Sequence, residues 1–142
     1  MVVLKSIVLL TQEYNSFICI TKQVEKIVQE SGVKNGLVTV LSKHTTTGVM
    51  VNESLECLES DMEVFLSKLA PEEGKYSHAR MLRDYGSTAG NPTGHLKSLV
   101  VGNHCHFMLC DGKLDKGGAQ DVYFLEFDGP AKRTILVQIM GE

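Results

Sequence analysis

From residue 103 onward the chain offers three strand-like runs, 103–110, 121–127 and 133–140, with Asp111-Gly112 and Asp128-Gly129 standing between them. Asp-Gly pairs favour tight turns, because glycine accepts positive φ without steric penalty. Successive strands joined by such turns argue for antiparallel sheets. Earlier residues add to them. Residues 2–11 and 15–20 read as short strands around a turn at 13–16, and G-L-V-T-V-L-S at 36–42 is β-rich. A turn at 45–48 leads to another short strand at 49–51.

Helical patterns interrupt these strands. In T-K-Q-V-E-K-I-V-Q-E-S-G, Thr21 offers an N-cap, Val24, Ile27 and Val28 an apolar stripe, and Gly32 a stop. Residues 54–69 carry Leu55, Leu58, Met62, Phe65, Leu66 and Leu69 along one face of a 3.6-residue period, closed by Pro71. That face is expected in the core. Residues 71–94 turn polar and irregular, a length of loop that in a compact domain is usually functional or disordered. They carry His78, Arg80, Arg83, Asp84 and Asn91, and H-L-K-S-L-V-V-G then reads as a short helix. The expected architecture is α+β: an antiparallel β-sandwich of two sheets, two main helices packed outside, one domain across residues 1–142.

At 142 residues a chain buries about 68–70% of its unfolded surface, so neither disulfides nor a structural metal is needed to fold it. A net charge of −3 argues against a nucleic-acid partner, which calls for a basic face. It leaves room for small phosphorylated ligands, which need only local cations. No apolar run approaches the ~20 residues that span a bilayer, and no membrane association is expected. M-V-V-L-K-S-I-V-L-L-T has Lys5 in its middle and no small-residue cleavage site, and reads as a first strand. Cys19, Cys57, Cys105 and Cys110 form no C-x-x-C pair, as expected of a reduced, cytoplasmic protein.

Polar groups concentrate in the middle of the chain. His44 ends a strand, His78 lies in the long loop, and His95 follows Asn91-Pro92. Imidazole is a common divalent ligand, and three protein ligands leave a position open for water or substrate. Three scattered histidines are otherwise surface or hydrogen-bonded groups. His104 and His106 share a strand face and could chelate together. With Cys105, Phe107 and Leu109 in the core, both rings would face solvent or a subunit contact. Thr45, Thr46 and Thr47 with Gly48 suit an anion, or simply make a turn. Asn52 and Glu53 could hold magnesium, orient a substrate or supply a base, or cap the helix beginning near Ser54. Lys97 and Arg133 are candidate phosphate cations or ordinary surface charge.

H-T-T-T-G-V-M-V-N-E at 44–53, Asn91 with H-L-K at 95–97, D-G-K-L at 111–114 and Q-D-V-Y-F-L-E-F-D-G-P at 120–130 resemble the YjbQ-like family over nearly the whole chain. That family is also labelled secondary thiamine-phosphate synthase. The resemblance implies a two-sheet sandwich with outer helices, a homotrimer, and a polar cleft holding the H-T-T, N-E and H-L-K residues. It implies joining of a pyrimidine diphosphate to a thiazole phosphate with release of pyrophosphate. His44, Glu53 and His95 would be catalytic. Thr45, Thr46, Thr47, Asn52, Asn91, Lys97, Gln120 and Arg133 would bind substrate. A divalent metal, zinc or magnesium, at His44, His78 and His95 is consistent with the cleft, and no organic cofactor is expected.

Two departures bear on the substrate. Where the family carries G-x-W-Q, this chain has Gly117-Gly118-Ala119-Gln120, and where Arg-x-Arg follows D-G-P, Ala131 stands first and only Arg133 remains. The resemblance makes the leading expectation a metal-assisted enzyme for a small phosphorylated substrate, a candidate thiamine-phosphate synthase-like transferase. The alternative is a non-enzymatic trimer that binds a small anionic metabolite or metal ion. A hydrolase using His44 and Glu53 is a third reading, without a G-x-S-x-G elbow to support it.

Overall fold

A computed structural model describes residues 1–80 and 91–142. Arg83 and Asp84 lie outside them. Eight strands form two sheets: β1 (Val2–Leu10), β2 (Ser16–Cys19), β3 (Gly36–Ser42), β4 (Thr47–Asn52), β5 (His104–Cys110), β6 (Lys113–Leu114), β7 (Asp121–Glu126) and β8 (Lys132–Gly141). The larger sheet runs β1-β8-β3-β5-β6 and the smaller β2-β7-β4. All strand pairings among the described residues are antiparallel. Three α-helices accompany them among the described residues: α1 (Thr21–Ser31), α2 (Glu56–Leu69) and α3 (Pro92–Val101). The fold is α+β, as the pattern of the sequence indicates.

Strand alternation sets the core. In β8, Arg133, Ile135, Val137 and Ile139 are buried while their neighbours are more exposed. Val38 and Val40 of β3 and Phe107 and Leu109 of β5 point the same way. They meet Val49, Val122 and Phe124 of the smaller sheet and Val24 and Val28 of α1. Gly32 ends α1 in the left-handed conformation, φ 71°, as expected of a C-terminal glycine. Asp111 and Gly112 both take positive φ and join β5 to β6.

Several expectations are corrected. Thr21 does not cap α1; its hydroxyl donates to Asp121 Oδ1 at 2.7 Å and accepts from the Val122 N–H at 2.8 Å, tying the helix to β7 instead. β7 and β8 are not a hairpin. They belong to different sheets, and the chain crosses between layers through the cis Gly129-Pro130 bond. α3 begins three residues earlier than H-L-K, because Pro92 supplies a preset first-turn φ and its missing N–H costs nothing there.

The largest correction concerns α2. Only Leu66 of its stripe is buried, against Tyr123, Leu125 and Phe127. Leu55, Phe65 and Leu69 are 44%, 59% and 54% exposed. The outer face of the smaller sheet takes in one ridge of the helix, so Leu55, Phe65 and Leu69 face away from it while Leu58 and Met62 are half-buried. The outer face of the larger sheet is likewise open, with Val2, Leu4, Val8, Met108 and Met140 exposed.

Candidate functional site

The polar residues converge at the first turn of α3. Pro92 starts this helix, and Gly94 lets it lie close to the sheets: a Cβ there would stand 2.9 Å from the Phe127 carbonyl oxygen and 3.3 Å from Thr46 Cβ. This brings His95 against His78, which sits in the 3-10 turn Ser77–Arg80; the rings meet edge-to-face at 5.1 Å. His95 also lines a cavity of about 340 Å³ together with His44, Thr45 and Asn103. On its other side a pocket of about 400 Å³ is lined by Tyr76, His78, Pro92 and His95. Imidazoles from three distant segments thus gather around one helix terminus.

Hydrogen bonds fix the free nitrogens. Asn91 Nδ2 donates to Asp128 Oδ2 at 2.6 Å, so its Oδ1 faces His78 Nε2 at 2.8 Å. A carboxylate only accepts, which sets the amide orientation. His78 Nε2 therefore carries a proton, and a neutral His78 offers Nδ1 as its lone pair. His44 Nε2 accepts the Thr134 N–H at 2.8 Å, so its proton, when neutral, is on Nδ1. The pKa of His44 is lowered by burial first, then by the Arg133 cation, with Lys43 adding and Glu126 opposing. Asp128 and Glu72 add negative charge near the same helix end. The Tyr14 hydroxyl donates to Glu72 at 3.1 Å, and its pKa is raised by burial, with both carboxylates contributing.

The threonine turn is mostly committed to the fold. Thr46 and Thr47 are buried; Thr47 Oγ1 pairs with Ser42 Oγ at 2.6 Å, and Thr46 Oγ1 accepts from Arg133 Nη2 at 3.1 Å. Only Thr45 is exposed beside His44. Lys97 is buried, its Nζ 5.9 Å from the centre of the Phe127 ring.

Arg133 is not surface charge. Its Nε and Nη2 donate to Glu126 Oε1 and Oε2 at 2.7 and 2.6 Å, a bidentate pair inside the protein. Thr11 Oγ1 donates to Glu126 Oε1 at 2.7 Å, and the Asp128 N–H to Oε2 at 3.0 Å. Burial raises the pKa of Glu126, but the bonds from Arg133, Thr11 and the Asp128 amide outweigh it and leave the pKa lowered. The visible signal in the sequence is a lone glutamate in the apolar run V-Y-F-L-E-F, seven residues before an arginine. Asp128, read only as a turn residue, holds Asn91.

The remaining candidates lie elsewhere. Asn52 is the last residue of β4, opposite Asp121 at the start of β7, and Glu53 follows it; both are exposed. Asn52 Oδ1 accepts the Glu53 N–H at 2.8 Å, and no side chain caps α2. Gln120 is at this same end, its Oε1 accepting the Gly117 N–H at 2.7 Å. At about 3.3 Å per residue, Asn52 is roughly 17 Å along the strand from Thr47. One chain therefore carries two separated half-sets: the imidazoles at one end of the smaller sheet, and the N-E and Gln120 groups at the other. Among the described residues no group of three or more His, Cys, Asp or Glu side chains is placed to hold a metal ion.

The UPF0047 protein YjbQ-like family matches residues 5–142. The UPF0047 protein YugU of Bacillus subtilis (strain 168) is 32% identical over 139 residues, covering 97% of this chain and 99% of the relative. A YbjQ-like protein of unknown function from Sulfolobus solfataricus P2 superposes with a TM-score of 0.90 at 30% identity, over 100% of this chain and 99% of the other. An uncharacterized conserved protein of the YjbQ/UPF0047 family from Clostridium acetobutylicum gives 0.86 at 36% identity, over 96% and 99%. In sequence and in fold alike, this chain belongs to the YjbQ-like UPF0047 family.

Proposed function

We propose that the protein is an acid–base enzyme acting on a small phosphorylated substrate, with thiamine-phosphate formation as the candidate reaction. The observation that carries this reading is the gathering of His44, His78 and His95 around the first turn of α3. In the candidate reaction the bond between the pyrimidine methylene and the diphosphate oxygen breaks, and the diphosphate leaves with the electron pair. The thiazole nitrogen then bonds to the methylene carbon. A protonated imidazole can donate to the leaving oxygen, and Lys97 can offset its charge. Asn91 and Asp128 hold His78 in the tautomer the site needs.

The expected divalent metal fits these groups by donor type and not by their placement. The imidazole nitrogens suit zinc rather than magnesium, which prefers oxygen. As placed, however, the three rings form no ligand set, and His44 keeps its proton on Nδ1 while Nε2 accepts the Thr134 N–H, so no step in this reading runs through a metal.

The working unit in this reading is a homotrimer with its site between copies. A head-to-tail interface closes into a ring and sets one end of each copy against the opposite end of the next. That would bring Asn52, Glu53 and Gln120 of one copy to the imidazoles of another. The exposed apolar faces of α2 and the larger sheet supply surface for such contacts. The alternative, a trimer that binds a small anion without turnover, is favoured by Ala119 and Ala131, which stand where a stacking ring and a phosphate-binding cation are expected.

The test is pyrophosphate release from the two thiamine precursors. His44→Ala and His95→Ala should each lose on the order of 10²–10⁴ in rate while staying folded. When His95→Ala and Glu53→Gln are co-expressed, an interface is complete only if its two sides come from different variants. Random mixing then restores roughly one interface in four. Full activity in both histidine variants would refute the site, and no recovery on mixing would refute its division between copies. Precursor binding without turnover in the unmodified protein would establish the alternative.

A further inference from the structure

We propose a second transition-metal site, separate from the imidazoles around α3: a two-histidine chelate formed by His104 and His106 for a divalent ion of the zinc class. Both residues project from the outer face of β5, while Cys105 and Phe107 turn inward. Their ring centroids are 5.2 Å apart with the planes at 64°. Zinc–nitrogen bonds of about 2.0–2.1 Å, with the ring centre about 1.2 Å behind each nitrogen, put two imidazoles at a tetrahedral angle with centroids about 5.2 Å apart. The pair already has the spacing of a chelate.

The hydrogen bonds are compatible with Nε2 as the metal-binding atom of both rings. His104 Nδ1 is 2.9 Å from Asn103 Oδ1, an acceptor, so that nitrogen carries the proton and Nε2 is left with a lone pair. His106 Nδ1 is 3.0 Å from Oγ1 of Thr39, its cross-strand partner on β3. A hydroxyl accepting from Nδ1 leaves Nε2 free on this ring too. A histidine that ligates through one nitrogen while the other donates to an oxygen is the usual arrangement at metal centres. Among the described residues this edge of β5 is open beside the two histidines, since β6 pairs only with Leu109 and Cys110. No third His, Cys, Asp or Glu among the described residues joins the pair. Water or an outside ligand would fill the other positions, so the bound ion would stay accessible. Neither ring lines the cavity shared by His44 and His95.

The test is isothermal titration of the intact protein with zinc and nickel chlorides. His104→Ala/His106→Ala should remove one class of sites, or weaken it at least tenfold, with the circular dichroism unchanged because both positions are exposed. His78→Ala/His95→Ala should retain that class. Thr39→Val should weaken it by roughly 10–100-fold through loss of the oxygen that orients His106. An isotherm unaffected by loss of both rings overturns the proposal, as does one abolished by the His78/His95 variant alone.

Discussion

Arg133→Met tests whether Arg133 serves the fold or a phosphate. In the structure its guanidinium is 9% exposed and Glu126 is 0% exposed, joined by two bonds of 2.6 and 2.7 Å. Removing the cation leaves a buried carboxylate with only Thr11 and the Asp128 amide. Breaking a buried pair from one side costs about 3–5 kcal/mol. Against a total of about 5–15 kcal/mol, this is a large fraction, equivalent for a chain of this length to roughly 10–20 °C in Tm.

The sign with pH follows from Glu126. Its folded pKa is lowered, so its stabilisation is present above the unfolded value near 4.3 and lost as pH falls through the folded value. In the variant, burial is left to raise that pKa, so the penalty is greatest at neutral pH and shrinks as the carboxyl takes up its proton. Urea denaturation at pH 7 and pH 4 measures both stabilities. Glu126→Leu/Arg133→Met should recover most of the loss, because no charge is then left unpaired. An Arg133→Met protein that unfolds like the parent at pH 7 but fails to bind substrate would refute the reasoning. Arg133 would then be a ligand contact.

Two further outcomes are expected. An NMR titration of His44 should give a midpoint below 6.5, since burial, Arg133 and Lys43 disfavour its cation; the neutral ring's contribution to stability is present above 6.5 and lost as pH falls through the folded midpoint, and a midpoint at or above 6.5 would contradict the geometry. Gly94→Ala, normally favourable within a helix, should instead destabilise by about 1–3 kcal/mol in thermal unfolding and lower turnover, because the methyl pushes against the Phe127 carbonyl and displaces His95; a stabilised variant would sink the packing argument.

Much of this was legible in the residues. Period-2 runs located the strands, Gly32 marked the end of α1, and the turn at Asp111-Gly112 formed as glycine permits. Those signals are local, set by sterics within a few residues. What was not legible depends on where layers meet. Nothing near α2 says how much of its stripe one chain can cover, so Phe65 reads as core and stands exposed. Asp128-Gly129 reads as a hairpin turn and proves to be a crossing between sheets. Arg133 reads as a phosphate cation because its partner is seven residues away on the other layer. The histidines could be named singly, but their meeting rests on the close approach of α3 that Gly94 permits.

The position of β8 has a consequence for how the molecule is made. It lies between β1 and β3, pairing Val2 with Met140 and Leu41 with Leu136. Residues 132–141 leave the ribosome after every strand they join. Until then β1 and β3 have apolar faces and unsatisfied edges with no strand between them. Closure over so long a separation is entropically slow, so the nascent chain is most open to aggregation and chaperone capture until residues 132–141 have emerged and paired.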